Sequence, residues 1–293
     1  MKMRYTYNRI FDPPVVAGVH ANEGSEPADD KMYVFDDEDV ILAVNLAIAS
    51  GRPLLVYGPA GSGKSALAPN IARELQAPLF SQVMTSRTDF SELLWKFDSI
   101  KRLADAQTQR LLKEEEYVVH GVLWEALASQ ANPQNPVPAV VLLDEIDKAS
   151  PDLPNGLLGP LGSLSFRGPQ GNDVSSASGK APLIIITSNN DRELSRPFLR
   201  RCVVVTLKPP TKNHLMGVAA ARFGKATAAA FEDVASAIGN RYLEPGAPLS
   251  DLPSTGEFLD AIRASIELDI RPETPAWRFL SKAILAKYDS VQV

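Results

Sequence analysis

The chain of 293 residues contains one cysteine, Cys202, and only three histidines, His20, His120 and His214, which lie far apart. A single cysteine excludes an intrachain disulfide framework and suits a reducing compartment. With no second cysteine and no paired histidines, the local spacing of a zinc site is missing too. Long apolar runs are also absent. The longest, residues 40–49, is broken by Asn45, and residues 183–186 form a shorter one; a bilayer-spanning helix needs about 20 apolar residues. Residues 1–10 carry positive charge with no apolar stretch behind them, so they do not read as a secretory leader. No basic surplus exists: 30 Lys and Arg stand against 35 Asp and Glu, a net charge of −5. Proteins that live on phosphate-backbone contacts carry the opposite imbalance, so nucleic acid is a disfavoured partner. Aromatic residues make up only 7%, and Trp95, Trp124 and Trp277 stand near leucines, a setting for core packing rather than for base stacking. The remaining composition, 45% hydrophobic and 22% charged, is that of a globular protein with about two folding units. A cytoplasmic setting without a membrane segment is the expectation.

Residues 1–31, with Asp12-Pro13-Pro14 and the Gly/Ser/Pro/Asp-rich stretch 24–30, read as an extended N-terminal segment. Residues 36–50 carry apolar side chains at helical spacing, with acids 36–39 at the start and Gly51 as a stop. Residues 53–57 form a short apolar run suited to a strand buried on both faces. A glycine-rich turn follows at 58–63, then a helical pattern over 64–75, in which Pro69 predicts a kink or an early end. Residues 79–84, 139–143, 183–187 and 202–207 are further strand candidates. Strands alternating with helices predict a parallel sheet with helices on both faces. Beyond Pro209-Pro210 the segments 212–224, 231–242, 255–268 and 275–287 all read as helices. The predicted organisation is therefore an α/β domain over 32–208 and a small all-helical domain over 209–293. Residues 175–179 read as a short flexible loop and 113–116 as a solvated turn.

The turn after the first strand carries the clearest chemistry. Gly58-Pro59-Ala60-Gly61-Ser62-Gly63-Lys64-Ser65 matches G-x-x-x-x-G-K-[ST] in full. Glycines let backbone N–H groups turn inward around a phosphate with no Cβ in the way. The helix that follows aims its N-terminal dipole at the same anion. Lys64 can reach the outer phosphates and Ser65 can offer its hydroxyl to Mg²⁺. Residues from Gly58 to Ala66 are thus candidate nucleotide-binding residues. A second motif, Val140-Val141-Leu142-Leu143-Asp144-Glu145-Ile146-Asp147, is a strand ending in acids. Asp144 would stand at the carboxyl end of that strand, where ligands bind in open α/β sheets, and is placed to hold Mg²⁺ with Ser65. Glu145 could orient or deprotonate an attacking water.

This pair of motifs resembles the AAA+ ATPases, a P-loop NTPase fold with a helical lid, and is most similar to the MoxR-like branch with its insert in helix 2. The likeness covers roughly residues 33–270. Residues 185–189 resemble the strand that ends in the sensor-1 asparagine, here Asn189. The stretch Leu-Ser-Arg-Pro-Phe-Leu-Arg-Arg-Cys over 194–202 resembles the segment carrying the arginine finger, with Arg201 the better match and Arg200 the second. Residues 88–121 resemble the helix-2 insert, and Pro-Ser-Thr-Gly-Glu-Phe-Leu-Asp over 253–260 resembles the start of the lid helix. There the sequence departs from the pattern: Ser254, Thr255 and Gly256 stand where many relatives place a sensor-2 arginine, and Arg263 two turns on is either a substitute or part of a solvated face.

The resemblance implies ATP hydrolysis with Mg²⁺ in a homo-oligomeric ring, a hexamer, coupled to remodelling or switching a client protein, often beside a separate protein with a von Willebrand factor A domain. Client contact would fall to residues 1–31, 88–121 or 168–180. Asn189 has two readings, a turn residue or an uncharged donor to the outermost phosphate and the water. Arg200 and Arg201 are either surface cations or groups inserted into a neighbouring subunit's site. A slowly hydrolysing switch or scaffold, and a motor on nucleic acid, are the rival functions.

Overall fold

The computed structural model describes residues 6–13, 33–129, 137–176, 179–223, 234, 236–238 and 253–285. The chain divides into two compact units. One holds Met1–Pro13, Glu38–Tyr57 and Leu67–Thr206, the other Pro14–Asp37, Gly58–Ala66 and Leu207–Val293.

The first unit is built on a parallel sheet. Helix α1 (Glu38–Ser50) leads into β1 (Leu54–Tyr57); α2 (Lys64–Glu74) leads into β2 (Leu79–Val83). After a segment treated below come β5 (Val140–Asp144), β8 (Leu183–Ser188) and β9 (Val203–Thr206). The five strands stand in the order β2-β5-β8-β1-β9, every neighbouring pair parallel. β1, β5 and β8 are the inner strands, and their near-continuous Leu, Ile and Val have no polar alternation because helices cover both faces. The expected sheet is the observed one. α1 buries Val40, Ile41, Val44 and Ala47 and ends at Gly51, whose φ of 66° is left-handed.

Asn45 is the polar exception on that face. Its side-chain oxygen accepts from the backbone N–H groups of Ile10 and Phe11, and its nitrogen donates to the carbonyls of Phe11 and Ile41. Arg9 donates to Asp12 and to Glu38 at 2.6 Å. These contacts pin residues 6–13 onto α1; the rest of the N-terminal segment expected over 1–31 lies outside the described residues.

α2 runs through Pro69 to Glu74 and does not end early. Leu67, Ala68, Ile71 and Ala72 around the proline are all buried, and that packing outweighs the one backbone bond the ring removes.

Residues 88–121 hold α3 (Phe90–Leu94), β3 (Trp95–Phe97), α4 (Ser99–Gln107), a 3₁₀ turn (Glu114–Tyr117) and β4 (Val118–His120), with β3 antiparallel to β4. α5 (Val122–Ala128) packs against β2 and β5. Between β5 and β8 lie a 3₁₀ turn (Ile146–Lys148), α6 (Leu153–Gly156), α7 (Leu158–Ser163) and an antiparallel pair, β6 (Ser165–Arg167) with β7 (Asp173–Ser175). The segment 168–180, a candidate for client contact, therefore includes the strand β7. Trp95 and Trp124 pack at the edge of the core as expected; Trp124 stacks on His120 and meets Phe166 edge-on. α8 (Arg196–Leu199) precedes β9.

The second unit contains α9 (Lys212–Phe223), α10 (Thr255–Glu267), α11 (Pro275–Leu280) and a π-helical turn (Ser281–Leu285). Its described core gathers Leu215, Val218, Phe258, Ile262, Trp277 and Leu280, joined by Val34. The helix expected over 231–242 is described only at 234 and 236–238, which are helical.

Candidate functional site

The glycine-rich loop follows the carboxyl end of β1 directly. Gly61 and Gly63 have φ of 75° and 88°, which side chains with a Cβ rarely adopt. Gly61 is doubly constrained: a Cβ there would lie 2.0 Å from the Cβ of Ser254. The Thr255 N–H, at the first turn of α10, donates to the Gly61 carbonyl at 3.2 Å. Within this unit the phosphate loop therefore rests on the start of α10. That start is fixed by a capping box: Ser254 Oγ accepts from the Glu257 N–H, and Glu257 accepts from the Ser254 N–H. The ring of Tyr33 lies over Gly63, and burial pushes its phenol well above its ordinary value, with Asp36 and Asp37 adding to the shift.

Lys64 is buried, and its ammonium donates to the carbonyls of Gly58 and Pro59 at 2.7 Å each. Ser62 Oγ is buried with no hydrogen-bond partner among the described residues. A lysine held over a glycine-rich backbone turn, beside an unsatisfied hydroxyl, has the donor chemistry of a phosphate site.

The acidic motif lies in the first unit at the carboxyl end of β5. Asp144 is its last residue, and Glu145 takes a left-handed conformation with φ of 61°. That turn lets the Glu145 N–H donate to Thr187 Oγ1 at 2.8 Å, while the Thr187 hydroxyl donates to Asp144 Oδ1 at 2.5 Å. Lys148 Nζ donates to Glu145 Oε2 at 2.8 Å, a bond that raises the lysine's pKa. Asp147 is 4% exposed, and its Oδ2 accepts from the backbone N–H groups of Asn189 at 3.1 Å and Asp191 at 3.0 Å. Arg192 donates to the Ala149 carbonyl. The turn after β5 is thus bolted to the turn after β8, and Asn189 is brought beside the acidic motif through its backbone.

Sequence reasoning missed Thr187 and Asp147 as parts of this cluster. Thr187 is a buried hydroxyl that follows four apolar residues in β8, which is the signal that could have singled it out. Asp147 had only its place in the acidic motif to recommend it.

Arg200 and Arg201 lie between α8 and β9, exposed, and among the described residues neither makes an ion pair. Arg263 is half-buried on α10 beside Arg222, whose pKa is lowered by burial and by the Arg263 charge, with Asp260 opposing. Among the described residues no three His, Cys, Asp or Glu side chains gather as a self-contained metal site. No helix among them is long and apolar enough to cross a membrane.

A family model described as the AAA domain, dynein-related subfamily, matches residues 53–202, which run from the start of β1 to the start of β9. Among solved structures, a candidate ATPase from Cytophaga hutchinsonii is similar over 77% of this chain, with 13% identity and a TM-score of 0.43. This chain spans 56% of the length of that one.

Proposed function

The chain belongs to the AAA domain family, dynein-related subfamily, and from that premise we propose that it hydrolyses ATP within a homo-oligomeric ring and uses the energy to remodel or switch a partner protein. The observation that carries this reading is one of topology. β1 leads into the phosphate loop, β5 ends in Asp144 and Glu145, and β8, between them in the sheet, ends beside Asn189. All three strands are parallel, so their carboxyl ends lie at the same edge of the sheet, where ligands bind in open α/β folds.

The roles follow from the chemistry of each group. The loop from Gly58 to Ala66 cradles the phosphates. Lys64 exchanges two carbonyl acceptors for charged phosphate oxygens, a stronger pairing. Ser65 and Asp144 would hold Mg²⁺, which when bound screens the phosphate charge. Glu145 orients or deprotonates the attacking water, and its bond to Lys148 keeps its carboxylate near one position. The Asn189 amide donates to the outermost phosphate or to the water without adding charge. Arg201, with Arg200 second, enters the site of a neighbouring subunit as an arginine finger.

The MoxR-like role, in which a ring matures or switches a client beside a protein with a von Willebrand factor A domain, is the finer form of this proposal. It goes with a cytoplasmic setting. A slowly hydrolysing switch or scaffold is the second reading, and it is favoured by Ser254, Thr255 and Gly256 where a sensor-2 arginine would stand. A nucleic-acid motor fits the net charge of −5 least well.

A Glu145→Gln variant tests the reading. Steady-state ATP turnover is expected to fall about 10²- to 10⁴-fold, the usual contribution of a positioned base, with ATP binding retained. Turnover unchanged by this substitution overturns the assignment of Glu145. A wild type that binds ATP without measurable turnover favours the switch.

A further inference from the structure

We propose that Asp147 is a positioning residue for Asn189, and that its buried carboxylate sets where the sensor-1 amide stands during ATP turnover. This rests on the ATPase reading above.

Three observations converge on it. First, the carboxylate is 4% exposed, and a buried charge is costly unless something is gained by it. Secondly, Oδ2 gathers two backbone donors, Asn189 N–H and Asp191 N–H, from one turn. Asn190 between them has φ of 65°, and its own N–H donates to Ser188 Oγ. Successive N–H groups around a left-handed residue form a concave anion nest, and here the anion is a side chain of the same molecule. Thirdly, Oδ1 is buried with no hydrogen-bond partner among the described residues, so the carboxylate is not a fully satisfied structural group. A neutral side chain would relieve that cost. The charge makes both N–H bonds roughly twice as strong as neutral ones and ties the Asn189 backbone to the turn that also carries Glu145. A placement error of about 1 Å can cost on the order of 10²-fold in rate, so such a tie acts on kcat.

The test uses the full chain with four variants: Asp147→Ala, Asp147→Asn, Asn189→Ala and the double Asp147→Ala/Asn189→Ala. ATP turnover, affinity for a fluorescent ATP analogue, and amide exchange by mass spectrometry are read for each. Asp147→Ala is expected to lower kcat by about tenfold or more, with KM and analogue affinity little changed. Asp147→Asn recovers part of the loss, because its amide oxygen accepts the same two N–H groups without the charge. The double variant is no slower than Asn189→Ala alone, because two residues acting through one path are not additive. Amide exchange in Asp147→Ala rises over 188–192 and not in β2.

Additive losses in the double variant overturn the proposal. So does a loss of kcat, affinity and stability together with no recovery in Asp147→Asn. Asn189→Ala slow but Asp147→Ala at wild-type rate overturns the positioning role alone. No turnover by the wild type overturns the ATPase reading, and this role with it.

Discussion

Cys202 shows how placement controls a single group. Burial pushes its thiol from 9.0 up to about 12, against the opposing charge of Arg52, and its S–H donates to the Phe198 carbonyl. The folded pKa is the raised one, so its contribution to stability is fully present below pH 9 and is lost as pH rises toward 12. The thermal midpoint should therefore fall over this window more steeply in the wild type than in Cys202→Ala. Tyr33 and Tyr57 are shifted in the same direction by burial; the comparison with that variant removes the Tyr33 share, while the Cys202 charge also raises Tyr57, so the measured difference includes that coupling. At pH 8 an aromatic disulfide reagent should react slowly with the native protein and fast in denaturant; equal rates would show that the thiol is not protected. Residues such as this were identifiable in the sequence, but their partners were not. Thr187 meets Asp144 and Glu145 across 42 or more positions, and Asp147 meets Asn189 across 42. Such pairings come from strand order in the sheet, which a linear reading of spacing does not contain. Lys64, Asp144 and Glu145 were legible because their motifs are local.

Among the elements, α10 has the most specific consequence. Thr255 is its first residue, after the N-cap Ser254 at φ −64° and ψ 160°. Proline suits the first helical position, and the residue before a proline prefers such extended angles. Thr255→Pro thus keeps the helix and its capping box while deleting the N–H that reaches the Gly61 carbonyl. Its ring also occupies the space of that bond. The expected outcome is unchanged helix content by circular dichroism with ATP affinity weakened several-fold, because one hydrogen bond is worth about 1 kcal/mol. Affinity equal to wild type would mean that this contact does not shape the phosphate loop. The small residues at 254–256 are what permit the close approach: Gly61 has no room even for a Cβ against Ser254. The buried strands β1, β5 and β8 were readable because each is an apolar run with no alternation. The β3–β4 and β6–β7 pairs were not, since strands of three residues carry no period to detect. Of the two outcomes Pro69 allowed in α2, the early end does not occur, because local propensity yields to packing on both sides of it.

At the scale of the whole molecule the question is whether one chain is a complete enzyme. Arg200 and Arg201 are exposed and, among the described residues, make no ion pair. An exposed guanidinium contributes little to folding, yet an arginine supplied in trans can raise an NTPase rate by 10³–10⁵-fold. A ring closes through heterologous contacts, so each subunit would offer its arginine to one neighbour and receive one from the other. Two consequences separate this from a site complete within one chain. Specific activity should rise with protein concentration in the wild type and stay near zero in Arg201→Ala, with ATP still bound. The sharper measurement mixes two dead variants. On the proposed roles, Arg201→Ala keeps Glu145 but offers no finger, and Glu145→Gln offers a finger but no base. In a random equimolar ring, an intact Glu145 meets an intact Arg201 at about one interface in four, so about a quarter of wild-type turnover should return. If the arginine acts within its own chain, every chain in the mixture is defective and no activity returns at any ratio.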